Sequence, residues 1–179
     1  KIFSKGNLQG EFIIRFNSDG SVAKNYQINA KLLNADLNLT KEIKIRNLST
    51  DIKYTLKSDK DKNINFFINQ GKILNLDLQK SSIDINFINN KKVIKSKINT
   101  AGISKYSEIK VISSLFGLNL SNIKNIELES DLETSVKLFL DDRFKVTDST
   151  FSINGKINGL NIEHKEIKNL KKFLPSYKS

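Results

Sequence analysis

Hydrophobic residues stand two apart along most of this chain, interrupted by short polar breaks. Phe12, Ile14 and Phe16 lead to Asn17-Ser18-Asp19-Gly20, where the pattern predicts a turn with Gly20 at a position that tolerates positive φ. Tyr26, Ile28, Ala30 and Leu32 then hold one parity, and Leu33, Ala35, Leu37 and Leu39 hold the other. A one-residue slip of this kind moves side chains to the opposite face, so one long strand bent by a β-bulge is expected. Between Glu42 and Ser58 the same thing happens: Ile43 and Ile45 come before a break at Asn47-Leu48, and Ile52, Tyr54 and Leu56 follow it.

Further alternating runs come at Ile64, Phe66 and Ile68, at Leu74, Leu76 and Leu78, at Ile83, Ile85 and Phe87, and from Val93 to Ile98. Residues 1–100 therefore read as a first antiparallel meander of about seven to nine strands with short connections. Over residues 101–118 the period changes. Ile109, Ile112, Leu115 and Phe116 have helical spacing, which predicts a helix from Ser104, as N-cap, to Phe116, with Gly117 just past its end. A second meander is expected over residues 119–163, with a tight turn at Asp141-Asp142-Arg143 and strands on both sides of it. Residues 164–175 place Ile167, Leu170, Phe173 and Leu174 on one helical face ahead of Pro175, predicting a second short helix.

The expected fold is mainly β: a long curved antiparallel meander with one or two short α-helices. Its apolar face raises an energetic problem. About eleven to thirteen strands would each offer three or four large apolar side chains to one side, and each is worth roughly 1.5–3 kcal/mol when removed from water. Two short helices shield only part of such a surface. The sheet must therefore close on itself as a sandwich or barrel, or curl into an open groove that holds something apolar. Repeated bulges curl a sheet and favour the groove.

Composition narrows the classes. The 179 residues include no Met and begin at Lys1, so the chain is expected to be one segment of a longer polypeptide. No uninterrupted apolar run approaches the roughly 18–20 residues needed to span a bilayer, so any membrane anchor is expected outside it. The formal charge of +11 raises nucleic acid or an acidic membrane as partner. That charge comes from 27 Lys and only 3 Arg, Arg15, Arg46 and Arg143, and the Lys are spread along the chain. Arg is the residue suited to bidentate phosphate and base contacts, so no nucleic-acid partner is expected. With no Cys, disulfides, thiolate metal sites and Cys nucleophiles are excluded.

Candidate chemistry is sparse. His164 is the single histidine and lies between Glu163 and Lys165, with no positioning partner indicated. Asp141-Asp142 sits where a hairpin turn favours Asp. Asp59-Lys60-Asp61-Lys62-Asn63 begins like a calcium loop, but Ile64 replaces the required Gly and Gln70 the closing Glu. The chain is expected to be no enzyme and to bind no metal or cofactor.

Three stretches carry a family resemblance. GEFIIRFNSDGSVAKNYQINAKLLNADLNL (Gly10 to Leu39) and EIKIRNLSTDIKYTL after it resemble the repeating β-strand region of the AsmA-like superfamily, the bacterial envelope proteins of the TamB and YhdP group, and DLETSVKLFLDDRFKVTDSTFSINGKINGLNIE (Asp131 to Glu163), following the short helix, looks like the same family's central domain. The likeness lies in pattern and turn placement. It implies a periplasmic segment of an inner-membrane-anchored protein, a curled sheet that passes phospholipid between the inner and outer membranes, with the membranes met by regions outside the segment. On this reading Phe12, Ile14, Phe16, Leu37, Leu39, Ile43, Ile45, Ile52, Tyr54, Leu56, Ile64, Phe66 and Ile68 line a lipid-binding groove. The alternative is a closed β-sandwich, a structural or adhesive module that binds through its loops.

Overall fold

Each alternating run can satisfy its backbone only by pairing with another, and short connections make the next run in sequence the nearest partner. A computed structural model of the chain describes residues 3–58, 61–88, 91–115 and 117–164. Its elements are β1 (Phe3–Phe16), β2 (Val22–Asn38), β3 (Lys44–Ser58), β4 (Asp61–Ile73), β5 (Leu76–Ile88), β6 (Lys91–Lys105), α1 (Tyr106–Leu115), β7 (Ile123–Leu140) and β8 (Val146–His164). The strands form one eight-stranded antiparallel sheet in the order β1 to β8. It does not close into a barrel: β1 and β8 are its two edges, and each strand packs against its sequence neighbours.

The strands are fewer and longer than the alternation predicts. Six strands cover the chain up to Lys105, because the runs at Leu76–Leu78 and Ile83–Phe87, separated by the bulge at Lys80, are one strand, β5, while the bulged strand expected across Leu32–Leu33 forms as β2. Likewise β7 is unbroken from Ile123 to Leu140, and β8 runs through Gly155 with a register shift near Gly159. The two meanders join in a single sheet, because β6 and β7 pair along their length and α1 connects them. A closed sandwich needs two facing layers, and the described residues form one.

The turn at Asn17–Gly20 forms, with the Gly20 N–H donating to the Asn17 carbonyl at 3.0 Å and Gly20 at φ 79°. Helix α1 starts later than predicted. Ser104 is buried in β6, and the cap is the Glu108 carboxylate, which accepts the Lys105 N–H at 2.8 Å. The C-terminus follows the prediction: Gly117 has φ 67°, its N–H donates to the Ser114 carbonyl, and the Leu118 N–H donates to that of Ser113, a Schellman closure. The second helix of residues 164–175 lies outside the described residues apart from His164, which ends β8.

A line of bulges crosses the sheet. Asn34 and Asn47 both adopt φ 51°, and Lys80 φ 42°. Register shifts fall beside each of them. They lie at one level: Ala35 pairs with Leu48, Ser49 with Gln70, and Gln70 with Gln79. Bulges at one level in neighbouring strands bend a sheet along a common crease. On one side of it Ala35, Leu48, Ile68 and Leu78 form the buried core, flanked by Leu32, Leu37, Ile45, Ile73, Ile83 and Ile98.

The backbone groups freed at the crease are taken up by small polar side chains. The Asn34 N–H donates to the Ser49 hydroxyl at 3.2 Å, and the Thr50 hydroxyl donates to the Phe67 carbonyl at 2.9 Å. Ser81 accepts the Asn99 N–H at 2.9 Å and donates to the Gln79 carbonyl at 3.1 Å. All three hydroxyl residues are buried, so each offsets the cost of an orphaned group in an apolar setting.

Candidate functional site

Directly paired residues of antiparallel strands point to the same face, so the register builds that face row by row. One row runs through all eight strands as Phe12, Ile28, Tyr54, Ile64, Ile85, Ile94, Leu138 and Ser149. The next toward the crease is Gly10, Ala30, Ile52, Phe66, Ile83, Ser96, Val136 and Phe151. Between these two, on the opposite face, stand Glu11, Asn29, Lys53, Asn65, Asp84, Lys95, Lys137 and Thr150. The apolar face is therefore continuous from one edge to the other, and its reverse is polar.

No second layer of described residues covers it. Near the crease the side chains bury one another, but toward the edges they do not: Phe12 is 68% exposed and Phe151 56%. Ile14 and Phe16 on β1, and Ile153, Ile157 and Leu160 on β8, are exposed as well. Monomers rarely leave so extended an apolar surface in water without using it.

Of the predicted groove liners, most are brought together. Phe12, Ile14 and Phe16 on β1, Ile52, Tyr54 and Leu56 on β3, and Ile64 and Phe66 on β4 share the face. Leu37 and Ile45 pair with each other and pack on the core, and Ile68 is a core residue, so these three are foundations of the face more than open surface. Leu39 and Ile43 leave the row, because they stand in the turn that joins β2 to β3, where the Leu39 N–H donates to the Ile43 carbonyl at 3.0 Å. The contributions of β5 to β8, Ile83, Ile85, Phe87, Ile94, Val136, Leu138, Phe151 and Ile153, were missed. Their alternation was visible, but the pairing of β6 with β7 past α1 was not.

The electrostatics follow the two faces. Cross-strand ion pairs such as Lys97 with Glu133 at 2.7 Å and Lys31 with Asp51 at 4.0 Å lie on the polar side, as does the Asn65–Asp84 hydrogen bond. Tyr26 and Tyr54 meet on the apolar face with ring centroids 5.7 Å apart. Burial, followed by hydrogen bonding with Tyr26, pushes the Tyr54 phenol above its ordinary value, so it stays uncharged.

Other places offer less. A shallow depression of about 530 Å³ among Glu11, Lys31, Asp51, Lys53 and Phe67 lies on the polar face, where Lys31 pairs with Asp51. Asp141 is a turn residue: its carboxylate accepts the Arg143 and Lys145 N–H groups at 2.8 and 2.9 Å. Among the described residues no group of three or more His, Cys, Asp or Glu is placed to hold a metal ion. Residues 59–60 of the calcium-like stretch, and the side chain of His164, lie outside the described residues. No described helix is long and apolar enough to cross a membrane. Comparison with protein-family models, curated proteins and solved structures finds no match to this chain.

Proposed function

We propose that this chain is a segment of an AsmA-like envelope protein that carries phospholipid acyl chains along an open β-sheet through the periplasm, between the inner and outer membranes. The observation that carries this reading is a single-layer sheet whose apolar face crosses eight strands and meets no second layer among the described residues. Hydrocarbon is the covering such a surface calls for. At about 0.8 kcal/mol per buried methylene, one lipid tail supplies on the order of 10 kcal/mol.

The face binds and performs no chemistry. Aliphatic and aromatic side chains present no directional polar partner to a tail, so a chain can slide along them without a deep trap. Attachment to either membrane belongs to other regions of the polypeptide. An adhesive sandwich would need two packed layers, which this sheet does not provide.

Lipid extraction and native mass spectrometry of the purified chain test the reading. Co-purifying phospholipid at about one or more molecules per chain is the expected result. A lipid-free monomer, or a dimer dried face to face, would overturn it.

A further inference from the structure

The apolar face carries charge of one sign, at one end. Along the described strands no Asp or Glu stands on it: Asp51, Asp84, Asp131 and Glu133 pair within rows of the polar side. Three lysines do stand on it. Lys62 and Lys92 belong to the row Ile14, Tyr26, Leu56, Lys62, Phe87, Lys92, Leu140 and Val146, and Lys24 follows by alternation along β2, between Tyr26 and Val22, which pair with Ile14 and Phe16 on either side of a register shift. Each is the second or third residue of β2, β4 or β6, so all three stand at the same rim. Alternate strands separate them by about 10 Å across the sheet.

These lysines differ in how far their charge is already engaged. Lys92 donates to the Asp141 carbonyl at 3.0 Å, pairs with Asp142 at 3.6 Å and lies 4.3 Å from the centre of the Phe144 ring. Its ammonium holds the β7–β8 turn against the rim. For Lys24 and Lys62 there is no ion pair among the described residues. Lys62 is half-buried, with Leu56 and Phe87 as its cross-strand neighbours in the row.

We infer that the face takes an anionic phospholipid in one orientation, with the phosphate at the Lys24–Lys62 rim and the tails running down the strands toward the Ala35–Leu48 crease. The inference rests on the acyl-chain reading given above and adds the lipid's charge and polarity to it. Charge complementarity favours this occupant. No carboxylate of the described strands stands on the face, and at the rim Asp142 is matched by Lys92, which leaves Lys24 and Lys62 as the cations open to an anion. The length also fits: Lys62 to Ile68 is six residues, about 20 Å of strand, against about 15 Å for the tails of one leaflet.

The test offers the chain phosphatidylglycerol or phosphatidylcholine with identical acyl chains and reads occupancy by native mass spectrometry. The expected preference for phosphatidylglycerol is about tenfold, and the pair Lys24→Gln with Lys62→Gln removes that preference. The pair Lys53→Gln with Lys95→Gln, on the polar face, removes the same charge and should keep the preference. Equal uptake of both lipids by the unaltered chain, or equal loss in the two variant pairs, overturns the orientation and leaves acyl-chain binding standing. Uptake of neither lipid overturns both.

Discussion

The Asp36 carboxylate accepts the Asn47 backbone N–H at 3.1 Å, tying the strand that bulges at Asn34 to the strand that bulges at Asn47. Lys5, from the edge strand, pairs with the same carboxylate at 3.2 Å. One side chain thus joins three strands at the crease. The bend there decides which face is drawn together over the core and which is left polar.

Acid should loosen this joint. The Asn47 N–H, and after it Lys5, hold the Asp36 carboxyl below its ordinary value, against the opposing effect of burial. A depressed carboxylate contributes stability above its unfolded pKa of about 3.9, and that contribution disappears as pH falls through the lower folded value. Thermal unfolding between about pH 5 and pH 2 should show the loss, and Asp36→Asn should flatten that part of the profile. An unchanged profile in the variant would remove Asp36 from the account of the crease.

Ser81→Ala should cost about 1–3 kcal/mol in denaturant unfolding, because it leaves the Asn99 N–H without its partner in a buried site. Ser82→Ala, whose residue stands on the polar face opposite Lys97, should cost less than about 0.5 kcal/mol. Equal costs would mean that the Ser81 hydroxyl does not stitch the bulge.

Gly155 has φ 153°, and a Cβ there would stand 2.1 Å from the Asp131 carbonyl oxygen and 2.8 Å from the Leu132 Cα. Both obstacles are backbone and cannot turn aside. Gly155→Ala should therefore destabilise by about 2–4 kcal/mol, or detach β8 from β7. Hydrogen exchange over Val146–His164 would report the detachment, and native-like protection with unchanged stability would contradict the close approach.

Tyr54→Asp with Phe66→Asp puts two carboxylates into neighbouring rows of the apolar face, away from the core. Lipid occupancy should fall at least about tenfold while circular dichroism stays β-rich. Ile45 is a poorer site for this test, because it packs on the core and its replacement would threaten the fold itself. Undiminished occupancy would remove these two rows from the binding surface.

The sequence made the strand character legible, along with the slips at Asn34 and Asn47, the turn at Gly20 and the end of α1 at Gly117. Parity marks where a chain changes face, and glycine marks where φ must be positive. The strand count was not legible, because a bulge and a turn both interrupt alternation and only pairing tells them apart. Leu33 shows the same ambiguity. It begins the new parity in the sequence, yet it pairs with Asn7 on the polar side, one residue before the bulge at Asn34. The half of the apolar face built by β5 to β8 depended on β6 and β7 becoming neighbours, which is a long-range pairing. The Ser104 cap failed for a local reason: β6 continues one residue past Ser104, and Glu108 reaches back to the Lys105 N–H.

Phe66 and Phe67 are adjacent in β4 and point to opposite faces, Phe66 beside Ile52 and Ile83, Phe67 beside Asp51 and Ser82. A photoreactive phenylalanine analogue installed in place of one or the other, illuminated with phospholipid present and read by mass spectrometry, asks directly what covers the apolar side. The account predicts lipid adducts from position 66 and none from position 67. Equal labelling from both positions, none from either, or adducts from position 66 to a second copy of the chain would contradict it.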